Sequence, residues 1–174
     1  LTPASSALVD GAAAAYASGA SAISICNTFP SLPLMDPETL KFEVEVDGLV
    51  TSGGLGGLAI LHQALQRVSD LSRAFPDNSI SGIGGIRGFR EAFNFIVHGA
   101  GNLQVCTAAM EEKGSGGIGI KLIQELKDDL TEYMQRKGHS SIEEFRGIAR
   151  ERIVEHSSVR RKSDAYNGGY SRTA

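Results

Sequence analysis

Three short apolar runs, each followed by glycine or small polar residues and each separated from the next by a stretch of helical period, constrain this chain more than any other feature. The runs are Ser21-Ala22-Ile23-Ser24-Ile25-Cys26, Ile80 to Ile83, and Leu103-Gln104-Val105-Cys106. Buried β-branched runs alternating with helices mean βα units, a parallel sheet and right-handed crossovers. Apolar periodicity predicts helices over 7–18, 58–74, about 88–98 and 120 to about 137. In the second, Leu58, Leu61, Leu65 and Val68 keep one face; in the third, Phe89, Ala92, Phe93 and Ile96 point inward; in the last, Ile120, Ile123, Leu126, Leu130 and Tyr133 form the stripe. Gly99 and Gly138 stand where C-caps belong. A further helix is expected from Ser141, with Glu144 completing a capping box.

The segment from Asn27 to Gly57 holds three of the five prolines, a short strand Phe42-Glu43-Val44-Glu45-Val46 with an Asp47-Gly48 turn, and a glycine cluster. A loop of that length inside a compact domain is usually functional or disordered.

Two geometries accommodate such a chain: an open doubly wound sheet, or part of a (β/α)8 barrel. Three strands cannot close a barrel. A full barrel runs to about 250 residues, so this chain would supply its later half and leave an edge needing a partner. Its 174 residues make one domain or a piece of a larger one. The chain opens on Leu1 and not on Met, so upstream residues are expected to have been cut, processed or left out.

Composition narrows the function classes. No apolar run approaches the roughly 18 residues of a membrane span, and the Ala-rich start, interrupted by Asp10 with no basic residue before Lys41, is no export signal. A cytoplasmic protein is expected. A formal charge of -3 gives no field favouring nucleic acid. Cys26 and Cys106 lie far apart with no CxxC, so neither a disulfide framework nor a zinc site is expected. The histidines at 62, 98, 139 and 156 are scattered singly and are assigned no chemistry. Residues 146–174 carry seven bases against three acids, ending in a tail over 163–174 that is expected to be flexible. The Arg160-Arg161-Lys162 run reads as a solvated linker, with contact to an acidic partner as the other reading.

The glycine clusters fall at one kind of place. Gly53-Gly54-Leu55-Gly56-Gly57 precedes a helix, Gly82-Ile83-Gly84-Gly85 joins strand to helix, and Val105-Cys106-Thr107-Ala108 ends the third strand. These are C-terminal strand ends and helix starts, where parallel α/β folds bind ligands and backbone N–H groups hold phosphate. A phosphate-bearing cofactor is the first inference; tight turns and helix packing are the alternative. Two look-alikes fail. Arg87 stands where a dinucleotide fingerprint after Gly82-x-Gly84 wants glycine, and Ile120 separates Gly119 from Lys121 where a P-loop would join them.

The ordered set Leu1-Thr2-Pro3, Asn27-Thr28, Gly53 to Gly57, Gly82-Ile83-Gly84-Gly85-Ile86 and Gln104-Val105-Cys106-Thr107-Ala108 resembles the second half of the flavin barrel of dihydropyrimidine dehydrogenases. Their wider relatives are the dihydroorotate dehydrogenases. Gly138 to Gly147 resembles the C-terminal extension of the bacterial iron-sulfur flavin subunit, and the resemblance runs from residue 1 to about 162. It implies the C-terminal half of an FMN-binding TIM (β/α)8 barrel over 1–137, a helical extension over 138–162 and a tail over 163–174. FMN phosphate would be cradled by the backbone of Gly57, Ile83, Gly84, Gly85, Cys106 and Thr107. Asn27 and Thr28 would read the polar edge of a uracil or thymine ring stacked on the flavin, a role an amide suits because it offers donors and an acceptor; a simple turn after the strand is the alternative. Cys106 would be a backbone contact and no nucleophile, and Cys26 a small core residue.

The resemblance also implies hydride exchange at the 5,6 bond of a pyrimidine base, with electrons from a nicotinamide cofactor, NAD(P), on a partner subunit, and iron-sulfur clusters outside this chain. The departures are specific. The family places a flavin-contacting Lys before Leu-Thr-Pro and Asn after it, whereas this chain starts at Leu1 and carries Ala4; the family's proton-donating Cys lies in the first half, and its iron-sulfur cysteines follow the basic run. The isolated chain is therefore expected not to complete a catalytic cycle. A dihydroorotate dehydrogenase-like enzyme is one alternative, and a non-catalytic phosphate-binding half-barrel with an assembly role is the other, self-association or the rest of the barrel covering the open edge.

Overall fold

The computed structural model describes residues 7–110 and 119–159. The Leu1-Thr2-Pro3 motif, Ala4, most of the P-loop look-alike and the 163–174 tail lie outside the described residues. Strands run β1 (Ala22–Ile25), β2 (Phe29–Ser31), β3 (Gly53–Leu55), β4 (Ser79–Ile83) and β5 (Asn102–Gln104); helices run α1 (Leu8–Ala17), α2 (Leu61–Ala74), α3 (Phe89–Val97), α4 (Thr107–Met110) and α5 (Gly119–Lys137).

β1, β4 and β5 form the expected parallel sheet, ordered β1-β4-β5, with Ile23 opposite Ile80 and Ile83 opposite Gln104. One face carries the core. Ile23, Ile25 and Ile80 pack with Ala64, Val68 and Leu71 of α2 and with Leu8 and Ala12 of α1. Full burial of side chains such as Val68 or Leu71 stabilises by about 1.5–3 kcal/mol each. The strands are not buried on both sides, because Ala22, Ser24, Ser79, Asn102 and Gln104 on the second face are exposed. Phe95 presses on β4 where Gly82 leaves room: a β-carbon there would sit 2.5 Å from the ring.

Helix ends follow the glycines. After α3, Gly99 takes φ +113°, its N–H donates to Ile96 and that of Ala100 to Phe95; Gly138 closes α5 in the same way, with His139 donating to Met134. Paired bonds of this kind satisfy carbonyls that the helix leaves orphaned.

Several local expectations change. The 58–74 helix opens as a 3-10 turn over Gly57–Ile60; Ile60, Ala64, Val68 and Leu71 are its buried apolar residues, Leu61 and Leu65 pack partly buried against the same core, and Leu58 is half exposed. Phe89 and Phe93 face α5 and not the sheet, packing on Tyr133 at 5.5 and 5.0 Å between ring centres. No strand forms over 42–46: Phe42 bridges Met35 and Val46 bridges Leu49 around the Asp47-Gly48 turn, whose two residues both take positive φ. The glycine cluster instead supplies β3, antiparallel to β2.

The helix expected from Ser141 is a 3-10 turn, Ile142–Glu144, followed by further short turns, so the 138–158 part of the predicted helical extension holds no α-helix among the described residues. The capping box slips by one residue: Ser141 Oγ accepts from Glu143 N–H, while the Glu144 carboxylate accepts from Ser140 N–H and hydroxyl. Phe145 is buried with Ile96 and Val97, and the N–H groups of Gly147 and Ala149 donate to the Ile96 and Val97 carbonyls at the end of α3. That docking outcompetes helix propagation. Among the described residues, no helix is long and apolar enough to cross a membrane.

Candidate functional site

A cleft of about 560 Å³ opens at the C-terminal ends of β1, β4 and β5. The topology dictates its place, since strand ends, the turns after them and the following helix starts all meet there in a parallel sheet. Every sequence-predicted site residue lines it: Asn27 and Thr28 after β1, Gly57 before α2, Ile83 with Gly84 and Gly85 at the end of β4, and Cys106 with Thr107 after β5.

The walls are close-set. Gly57 and Gly85 take φ +63° and +76°, and a β-carbon on Gly57 would lie 3.2 Å from Thr107 Cγ2. A β-carbon on Gly56 would lie 3.3 Å from Thr28 Cγ2. The glycines thus let the two threonines approach the backbone between them. Among the described hydrogen bonds outside the helix and strand ladders, the N–H groups of Gly85, Cys106 and Thr107 donate to no backbone carbonyl. Unspent amides beside two hydroxyls form a donor set that suits a phosphate. Arg87 is the charged residue among those lining the cleft.

Asn27 is committed on one side, its Oδ1 accepting from the Thr28 N–H at 2.8 Å. The side-chain amide nitrogen therefore supplies its two donors to whatever enters. Cys106 is exposed, whereas Cys26 is 2% exposed, and burial pushes its thiol above the usual cysteine range. Both cysteines are free.

Ser24, Gln104 and Arg87 line the cleft without having been singled out as site residues. Ser24 and Gln104 carried a signal, being the polar residues that alternate with Ile23, Ile25 and Leu103 in otherwise apolar runs. Arg87 shows in the sequence only as the break in a dinucleotide fingerprint. His62 and His98 line a separate groove between α2 and α3, and His139 sits 2.9 Å from Glu144. Among the described residues, no group of three or more His, Cys, Asp or Glu is placed to hold a metal ion.

Comparison with known proteins gives the geometry a lineage. The profile of the family described as dihydroorotate dehydrogenase matches residues 1–134. The chain is 33% identical to the chloroplastic dihydropyrimidine dehydrogenase (NADP(+)) of Arabidopsis thaliana, over 95% of this chain and 39% of that protein. It is 35% identical to the catalytic subunit of dihydroorotate dehydrogenase B (NAD(+)) of Petrotoga mobilis, over 85% of this chain and 45% of that one. It is 31% identical to the NAD-dependent dihydropyrimidine dehydrogenase subunit PreA of Escherichia coli K12, over 88% of this chain and 36% of that subunit. The chain therefore spans about two fifths of the length of these relatives. The resemblance read from the ordered motifs is borne out.

Proposed function

The chain belongs to the dihydroorotate dehydrogenase family, and we propose that it is part of an FMN-dependent oxidoreductase that interconverts a pyrimidine base, uracil or thymine, with its 5,6-dihydro form. On this reading residues 1–137 are the later half of a (β/α)8 barrel, 138–162 an extension docked on it, and 163–174 a tail. The remaining strands, or a second copy, cover the open sheet edges. The observation that carries the reading is the convergence of Asn27-Thr28, Gly57, Ile83 to Gly85 and Cys106-Thr107 on one cleft at the strand ends.

FMN fits the donor set. The N–H groups of Gly84, Gly85, Cys106 and Thr107 and the Thr107 hydroxyl hold the phosphate, and the absence of side chains at Gly57 and Gly85 lets it come close. The cleft volume suits a ligand of that size, since such sites usually enclose about 300–1,000 Å³. Bound FMN supplies hydride chemistry at the pyrimidine 5,6 bond. Asn27 and Thr28 orient the base: the Asn27 amide nitrogen donates to a ring carbonyl, and the hydroxyl of Thr28 serves as donor or acceptor along the same edge. Cys106 contributes its backbone. The flavin-contacting Lys, the proton-donating Cys, the iron-sulfur clusters and the nicotinamide-binding partner are assigned to parts of the enzyme beyond this chain.

Arg87 favours a second reading, in which dihydroorotate is the substrate and its carboxylate meets that cation. Visible absorption after incubation with FMN and desalting tests the first step. Stoichiometric retained flavin is expected, and none on a folded chain overturns the FMN assignment. Perturbation of the bound-flavin spectrum by uracil but not by dihydroorotate then supports the first substrate reading, and the reverse supports the second.

A further inference from the structure

Gln104, the last residue of β5, reaches across the sheet. Its Nε2 donates to Ser81 Oγ on β4 at 2.7 Å and to Ser24 Oγ on β1 at 2.8 Å. A primary amide nitrogen carries two N–H donors, so both are committed to this link. In the order β1-β4-β5 the outer strands share no ladder hydrogen bonds. Gln104 therefore joins strands that the backbone ladder does not. The three arms of the cleft leave from the linked residues within a few positions: Asn27-Thr28 after Ser24, Gly84-Gly85 after Ser81, and Cys106-Thr107 after Gln104 itself.

We propose that Gln104 is a positioning residue, a tether that sets the spacing of Asn27-Thr28 against Cys106-Thr107 across β4 and so holds the cleft at the width its ligand needs. The choice of FMN as ligand rests on the function proposed above; the tether itself rests on the two hydrogen bonds. Prepositioned walls raise affinity by reducing the ordering cost of binding. Met at 104 keeps the length and flexibility of the side chain and loses the amide.

The experiment compares the full chain with Gln104→Met, Ser24→Ala and the double variant, by backbone amide exchange without ligand and by titration with FMN. Ser24→Ala leaves the bond from Gln104 to Ser81 in place and removes the hydroxyl that accepts from Gln104 on β1, which keeps the test open if Gln104→Met folds poorly. The expected result is faster exchange in two segments, at Cys26 and Thr28 and at Ala109 and Met110, whose N–H groups bond Ile83, Asn27 and Cys106, with Ser79–Ile83 unchanged, FMN affinity lower by roughly tenfold or more, and an altered absorption envelope of the bound flavin. The double variant matches Gln104→Met, because the two residues act through one contact. Exchange that rises evenly along all three strands, or stays at wild-type level in both segments, overturns the tether. If the parent chain binds no FMN, the flavin reading falls, and the exchange comparison in the ligand-free chain still decides the role of Gln104.

Discussion

Gly85 turns so close to Gly57 that a β-carbon on Gly85 would lie 3.0 Å from the Gly57 carbonyl oxygen and 2.9 Å from Leu61 Cβ. Gly85 also takes φ +76°. Both facts act against any side chain at this wall of the cleft: the left-handed backbone costs an L-residue about 1–2 kcal/mol, and the crowding adds to it because one neighbour is backbone. Gly85→Ala is expected to lower unfolding stability by about 1–3 kcal/mol and to weaken FMN retention. Gly53→Ala, with nothing within 4 Å of the new atom, serves as the control and leaves both unchanged. Denaturant unfolding and flavin retention, measured on both variants, check the pair.

The three strands, their parallel sheet and the place of the cleft were legible because they rest on signals of long range in the chain. Ile23, Ile25 and Ile80 announce strands, and Gly84-Gly85 and Cys106-Thr107 follow where a parallel fold puts its ligands. What escaped was set by tertiary competition. Gly53 to Leu55 has no β propensity of its own and becomes β3 only because Phe29–Ser31 lies beside it. The helix expected from the Ser141 capping box loses to the docking of Phe145 and to the N–H groups of Gly147 and Ala149, which find partners on α3. Gln104 sat in plain view as a polar residue in an apolar run, yet its reach across two strands depends on register, which spacing along one strand does not encode.

The cysteines should separate cleanly in a labelling experiment. Cys106 is exposed in the cleft, and Cys26 is 2% exposed with its thiol held protonated by burial. Since the thiolate is the reactive form, limited iodoacetamide treatment is expected to modify Cys106 first and Cys26 only on unfolding. Saturating FMN is expected to slow modification of Cys106. Peptide mass spectrometry on the folded, FMN-loaded and urea-unfolded chain reads all three states; equal labelling of the two cysteines in the folded chain contradicts the burial of Cys26.

Substitutions at Asn27 should divide cofactor from substrate. Its Oδ1 is held by the Thr28 N–H, and its amide nitrogen is the group proposed to face the base. Asn27→Ala is expected to keep FMN within about twofold and to weaken the pyrimidine-induced change in the flavin spectrum by roughly tenfold, the effect of losing one oriented hydrogen bond or two. Asn27→Asp keeps the acceptor and removes the donors, so it should resemble Asn27→Ala. A variant that loses flavin and pyrimidine response together would place Asn27 in the cofactor cradle instead.

Glu144 carries an acid-dependent contribution to the docking of the C-terminal segment. The Ser140 hydroxyl and the neighbouring His139, which sits 2.9 Å away, together with the Ser140 N–H, draw its carboxyl down to about 2 from an ordinary 4.5. A carboxyl whose folded pKa lies below its unfolded one stabilises the fold fully above the unfolded value, and that stabilisation is lost as pH falls through the folded value. The window is therefore 4.5 down to about 2. Glu144→Gln removes the charge, so the variant is expected to be less stable than the parent at neutral pH and to lose less on acidification. Asp36, also lowered by its own hydrogen bonds from Thr39, titrates alike in both chains and cancels from the comparison. Urea midpoints across that range should thus converge as the pH drops, and parallel curves would mean that the Glu144 contacts contribute nothing to holding Phe145 against α3.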